Sequence, residues 1–242
     1  MCQKEDGGGM KMKEHTFAER VVMKLRYHHL LDWLPDKQYL QLMYWAIFHK
    51  RLDLKNPKGF NEKLQWLKLY DRRPEYTVMV DKYAAKQYVA ARIGEQYIIP
   101  TLGVWEHFDD IDFDSLPNQF VLKCTHDSGG LVVCKDKQSL DKTVAKEKIE
   151  KSLKRNYYWS GREWPYKNVP PRIIAEKYMS NNQENNSKET SLIVNEADDL
   201  KDYKFYCFNG TMKFVMINSD RNSDKPTKAD YFDRDFNWLD FT

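Results

Sequence analysis

Lys123 stands in the middle of an apolar run, Phe120-Val-Leu-Lys-Cys124, and the polar turn Thr125-His-Asp-Ser-Gly-Gly130 follows it directly. Burying an ammonium among Phe, Val and Leu is costly, so this position calls for an anionic partner. Gly129 and Gly130 let backbone N–H groups approach phosphate oxygens with no Cβ in the way. A lysine beside an amide-lined loop can hold the polyphosphate of a nucleotide. In that reading Thr125, His126 and Ser128 add side-chain donors, and Lys135 closes the second strand of the pair, Leu131–Lys135. His126 is then a loop donor and not a base. Two bland readings stand beside it. Asp-Ser-Gly-Gly is also an ordinary hairpin turn, and an edge lysine can snorkel to water.

Three further residues carry chemistry. Lys204 lies in a second aromatic run, Tyr203-Lys-Phe-Tyr-Cys-Phe208, where alternation either aims it at a phosphate or simply at solvent. Glu176 lies in Ile-Ile-Ala-Glu-Lys-Tyr-Met179, an apolar setting in which a bare carboxylate needs donors, and an ion pair with Lys177 or Arg172 would supply them. Arg162 and Glu163, beside Trp164, can contact either a nucleotide or an acceptor.

The elements that must position these residues fall into two textures. From 16 to about 70 the pattern is helical three times over. Thr16 caps the first helix with Glu19 as its capping-box partner. Asp36, after Pro35, opens the second, and Asn61 caps the third. Asn56-Pro-Lys-Gly59 is a hinge. A further helix runs from about Asp81 to Arg92 and stops at Gly94, and Tyr97-Ile-Ile-Pro100 reads as a short strand. The spacing of Trp33, Trp45, Trp66, Tyr70 and Tyr88 places them in helical cores. Beyond this point short β-type runs alternate with turns: 101–105, 119–124, 131–135, 172–179, 191–194, 203–208 and 213–217. A helix over 139–156 carries a solvated lysine face, and 180–187 is a polar loop of low complexity. Residues 1–15 read as a flexible leader, 16–75 as an N-terminal helical region and 76–242 as one further domain.

Bulk properties exclude several classes. A net charge of +3 over 242 residues is too small to argue for nucleic-acid binding. No apolar run reaches the length of a membrane helix, and the first ten residues lack the apolar core of a secretion signal. Cys2, Cys124, Cys134 and Cys207 show neither paired nor zinc-type spacing, so a reducing cytoplasm is the simplest home.

Several segments in one order raise a specific resemblance. Asn56-Pro-Lys-Gly-Phe-Asn-Glu-Lys-Leu-Gln-Trp-Leu-Lys68 comes first, then Asp81-Lys82 opening a helix that leads through Ile93-Gly-Glu-Gln-Tyr-Ile-Ile-Pro100. Phe120–Lys135, Arg162-Glu-Trp-Pro-Tyr-Lys167, Pro171-Arg-Ile-Ile-Ala-Glu-Lys-Tyr-Met179 and Asp202-Tyr-Lys-Phe-Tyr-Cys-Phe-Asn-Gly210 follow. This order resembles the ATP-grasp superfamily, and within it the TupA-like group named for teichuronopeptide biosynthesis. The resemblance implies an α+β fold of two α+β lobes around a nucleotide cleft, behind an N-terminal helical region. It implies ATP and Mg²⁺ as cofactors. Lys123 and Lys204 would grip the triphosphate from two sides. Glu176, Lys177, Tyr178 and Met179 would form the hinge that reads adenine, with Lys204 and Arg162 as the catalytic pair.

The activity implied is carboxylate–amine ligation through an acylphosphate, in cell-surface polysaccharide biosynthesis, with a carboxylate- or sugar-containing acceptor. Two other functions fit the same residues: a glycosyltransferase of such a pathway, or a non-catalytic nucleotide- or glycan-binding module. The family's metal-binding acids are expected late in the chain, yet no glutamate follows Glu196. Asp220, Asp233 and Asp235 read as surface turn residues, so the metal-binding strands are expected to be missing and the domain to be incomplete at its C-terminal end.

Overall fold

The computed structural model describes residues 16–179, 202–219 and 228–240. The chain divides into two compact units, Met1–Lys177 and Tyr178–Thr242. The expected leader over 1–15, the polar loop over 180–187, the strand over 191–194 and Asp220 lie outside the described residues.

The first unit opens with helices α1 (Phe17–Tyr27), α2 (Asp36–Phe48) and α3 (Phe60–Tyr70). The Thr16–Glu19 capping box forms as expected, the Glu19 carboxylate accepting from Thr16 N–H at 2.7 Å. The third helix starts earlier than Asn61. Its N-cap is Gly59, whose N–H donates to the Glu62 carboxylate at 2.9 Å, while Lys58 N–H donates to the same oxygen. By accepting from both of these amides Glu62 fixes the entry to the helix, so that it begins just after the glycine. Tyr39, Leu40, Met43, Tyr44, Leu31 and Leu52 form the core of this helical region. The tryptophans do not join it. Trp33 is 77% exposed, and Trp45, Trp66 and Tyr70 are exposed as well. Helical spacing selects a face of each helix, and the aliphatic and tyrosine residues of α2 already fill the buried one.

Two shorter helices lead to the sheet: α4 (Pro74–Val80), which the sequence reading missed, and α5 (Lys82–Ile93). Asp81 caps α5, accepting from Tyr83 N–H, and Gly94 ends it at φ 106°, where a side chain would be strained. Residues 97–100 are not a strand. Tyr97 ends a 3₁₀ turn (Glu95–Tyr97), and the next three residues run without regular structure into β1 (Thr101–Trp105). Lys86 Nζ ties this loop down by donating to Ile99 O at 2.5 Å.

An antiparallel sheet follows, with spatial order β1, β4 (Ile173–Lys177), β2 (Phe120–Cys124), β3 (Leu131–Cys134). Phe120, Leu122 and Cys124 of β2 lie on one face with Ile173 and Ala175 of β4. These residues are fully buried and make a core with Ala145 and Ile149 of α6 (Lys142–Leu153). Each large apolar side chain buried there contributes roughly 1.5–3 kcal/mol. The strict period of two leaves Val121, Lys123, Ile174 and Glu176 on the opposite face. A four-residue helix, α7 (Tyr158–Gly161), completes the unit.

The second unit is a separate antiparallel sheet in chain order: β5 (Asp202–Phe208), β6 (Thr211–Ser219), β7 (Lys228–Asp233) and β8 (Trp238–Leu239). Asn209 and Gly210, both at positive φ, make the tight turn between β5 and β6.

Candidate functional site

The register of β2 on β4 sets Lys123 opposite Ile174 and Val121 opposite Glu176, so Lys123 and Glu176 are diagonal neighbours on one face. The Lys123 ammonium donates to Glu176 Oε2 at 2.5 Å. Lys86, reaching from α5, meets Glu176 Oε1 at 2.7 Å. One carboxylate, 6% exposed, therefore faces two ammonium groups. Burial alone would raise the Glu176 carboxyl, but hydrogen bonds from Lys123 and Lys86 hold it below the usual carboxylate range. The group carries a net charge of +1 in a half-sheltered place, which favours an anion with several oxygens.

β2 is an inner strand, so Lys123 is not an edge lysine. Glu176 pairs with neither Lys177, which is exposed, nor Arg172, which bonds the Asp81 carboxylate instead. Lys86 is the residue that sequence reading missed. Its signal was present, since Asp81 fixes the start of α5 and Lys86 falls one helical turn after Lys82.

The loop after β2 divides into a structural part and an open part. Thr125, His126 and Asp127 are buried. The His126 ring lies against Ser152 O and Arg155 O, at 3.2 and 3.0 Å from Nε2, and Asp127 accepts from the Ser152 hydroxyl. Lys82 Nζ bonds Cys124 O and Asp127 O, and burial pushes its ammonium below the ordinary value against the pull of Asp127. Burial, with Asp127 nearby, raises the Cys124 thiol to about 12, so this cysteine is an inert core residue. Gly130 is also structural. A Cβ there would stand 2.6 Å from Ser152 Oγ and 2.7 Å from Cys124 Sγ.

Ser128 and Gly129 are exposed, and Gly129 adopts φ 127° with nothing within 4 Å of a built Cβ. No hydrogen bond ties down their amides among the described residues. Close approach of a ligand to backbone is thus open at Gly129 and closed at Gly130.

The other expected site residues sit in surroundings of their own. Arg162 is 1% exposed and donates to Leu31 O, Asp32 O and Leu34 O, its guanidinium 4.5 Å from the Tyr39 ring centroid and 4.4 Å from that of Trp159. It fastens the turn after α1 to α7. Lys135 is exposed just beyond β3, and Lys177 N–H bonds Pro100 O. Tyr178 and Met179 open the second unit, which also holds Lys204. The Lys204 ammonium meets Asp202 Oδ2 at 2.5 Å and is 46% exposed. Asp233 accepts from Asp235 N–H and Asn237 N–H, the surface turn expected of it.

A family model described as TupA-like ATPgrasp matches residues 62–242. The chain belongs to the TupA-like ATP-grasp family. Its α+β make-up, with helices and two antiparallel sheets among the described residues, agrees with that membership. ATP-grasp membership implies ATP binding and points to an ATP-grasp-type function in polysaccharide biosynthesis, in a family that generally uses ATP with Mg²⁺. No curated protein and no solved structure matches the chain. Among the described residues no helix is long and apolar enough to cross a membrane, and no three His, Cys, Asp or Glu gather to hold a metal.

Proposed function

We propose that the chain is an ATP-dependent carboxylate–amine ligase of cell-surface polysaccharide biosynthesis, whose triphosphate-binding group is Lys86, Lys123 and the open amides of Ser128 and Gly129. The observation that carries this reading is the pair of lysines converging on the single buried carboxylate of Glu176. Holding two ammonium groups side by side costs energy, and a polyphosphate is the partner that repays it through charge-assisted hydrogen bonds of roughly 1.5–3 kcal/mol each.

In the reaction so assigned, an acceptor carboxylate oxygen attacks the γ-phosphorus and ADP leaves. An amine then attacks the acylphosphate carbonyl, forming an amide and releasing phosphate. Such transfer depends on positioning and charge neutralisation, which lysines supply without a covalent nucleophile. Glu176 keeps both ammonium groups aligned until nucleotide arrives. Lys177, Tyr178 and Met179 are assigned to the adenine edge and Lys204 to the reacting phosphate, with residues 16–75 as a helical region ahead of an ATP-grasp domain over 76–242 in a cytoplasmic protein. The described residues offer no built site for magnesium.

The test is ADP release from ATP in the presence of candidate amines and carboxylates. Release that needs both substrates, and falls at least tenfold in Lys123→Met, supports ligation. Binding of a UDP-sugar with indifference to ATP identifies a glycosyltransferase instead, and ATP binding without turnover identifies a binding module.

A further inference from the structure

A cavity of about 280 Å³ lies among α1, α2, α3 and the α7 turn, and it shares no lining residue with the Lys86–Lys123–Glu176 group. Two of its lining residues are cations. Arg26 donates to Ser160 O at 2.7 Å and Lys68 to Gly161 O at 2.9 Å, so consecutive carbonyls bring the two charges to one place. Those bonds use one of five guanidinium donors and one of three ammonium donors. Among the described residues no carboxylate comes within ion-pair distance of either. Glu163 lies nearby, since a Cβ on Gly161 would stand 3.5 Å from its Oε1 and 3.8 Å from Lys68 Nζ. Burial pushes the Lys68 ammonium below its ordinary value, with the Glu163 charge acting against that shift.

The remaining lining is aromatic and apolar, including Tyr44 and Phe48, whose ring centroids are 4.7 Å apart, and Met43. Tyr39 also lines the cavity, and its hydroxyl is buried with no hydrogen-bond partner. A buried hydroxyl and half-buried cations with spare donors are costly unless something accepts from them.

We propose that this cavity is a binding site for a small monocarboxylate carrying a ring, with the carboxylate held between Arg26 and Lys68 and the ring against Tyr44 and Phe48. Arg26, Lys68 and Glu163 sum to +1, which one carboxylate neutralises, whereas a dianionic phosphate would overfill it and oppose Glu163. The volume suits a molecule of one ring rather than a polymer segment. The inference stands apart from the nucleotide reading, because the cavity presents these cations whether or not the chain binds ATP.

The experiment titrates the full chain with benzoate and nicotinate, with benzamide, nicotinamide and inorganic phosphate as comparators. Calorimetry gives the affinity, and the Met43 methyl resonance, assigned through Met43→Leu, gives the place. The two carboxylates are expected to bind, to compete with each other and to shift Met43. Lys68→Met and Arg26→Gln are each expected to weaken them roughly tenfold or more. Should those variants fail to fold, the wild-type Met43 titration decides alone. Equal binding of the neutral amides, tighter binding of phosphate, or no carboxylate-dependent shift of Met43 overturns the proposal.

Discussion

Lys123 and Lys204 occupy the same kind of position, mid-strand in an aromatic or aliphatic run, yet the two sheets treat them differently. In the first unit Lys123 sits on an inner strand and reaches diagonally to Glu176, a residue from a strand about fifty positions away, where Lys86 arrives from a helix. In the second unit Lys204 turns along its own strand to Asp202, two residues back, with nearly half of its side chain in solvent. An ion pair between neighbours on one exposed strand is screened and adds little. A buried carboxylate shared by two lysines sets a local potential. The strand pattern is common to both lysines, and the neighbouring strand decides what each can do.

Four substitutions sharpen that contrast, in decreasing order of expected effect on stability. Glu176→Ala leaves two sheltered ammonium groups facing each other and is expected to cost about 3 kcal/mol, read as a lower denaturant midpoint at unchanged slope. A milder loss, comparable with that of a surface pair, would mean that Lys86 and Lys123 simply swing into water. Gly130→Ala forces a Cβ against Ser152 and Cys124, and is expected to cost about 2 kcal/mol by the same measurement. Gly129→Ala meets no atom and strains only the backbone at φ 127°, for roughly 1 kcal/mol. Lys204→Met is expected to change stability by less than about 0.5 kcal/mol. An equal cost for Lys204→Met and Glu176→Ala would erase the distinction between the two sheets.

The pH response carries the same contrast. The Glu176 carboxyl titrates below its ordinary value of 4.5 in the folded chain, because Lys123 and Lys86 outweigh burial. Its contribution is therefore present above pH 4.5 and is lost as pH falls through the lower folded value. Glu176→Gln is expected to flatten the stability profile in that acidic window and to leave the slope near neutrality unchanged.

Much of the fold was legible from the chain alone. The Thr16–Glu19 box, the stop at Gly94 and the alternation of β2 are local signals, and each formed where local chemistry placed it. The failures share a cause. Asn61 has the better cap chemistry, yet the Glu62 side chain satisfies the amides of Lys58 and Gly59 one turn earlier. Tyr97–Pro100 has strand composition, yet Glu95–Tyr97 closes into a 3₁₀ turn and pairing with β4 begins at Pro100 O, which accepts from Lys177 N–H. Trp45 sits on α2, whose buried face Tyr39, Leu40, Met43, Tyr44 and Ala46 already fill, while Trp33 falls in the turn before that helix and Trp66 on α3, which has no buried residue. At the site, an apolar strand showed that Lys123 needs an anion without saying which one. Lys86 shares a face of α5 with Lys82, yet only the fold shows that its ammonium reaches Glu176 of β4. Gly129 and Gly130 read as one motif, and packing against α6 splits them into an open amide and a spacer.

The most direct measurement of the central claim is the affinity for ATP, by calorimetry, of the wild-type chain and of Lys86→Met, a substitution that keeps the apolar stem and removes the charge. The account predicts binding by the wild type and a loss of at least roughly tenfold in the variant, with a cooperative unfolding transition showing that the variant is folded. Equal affinity in wild type and Lys86→Met, or no wild-type binding at millimolar ATP, would contradict it.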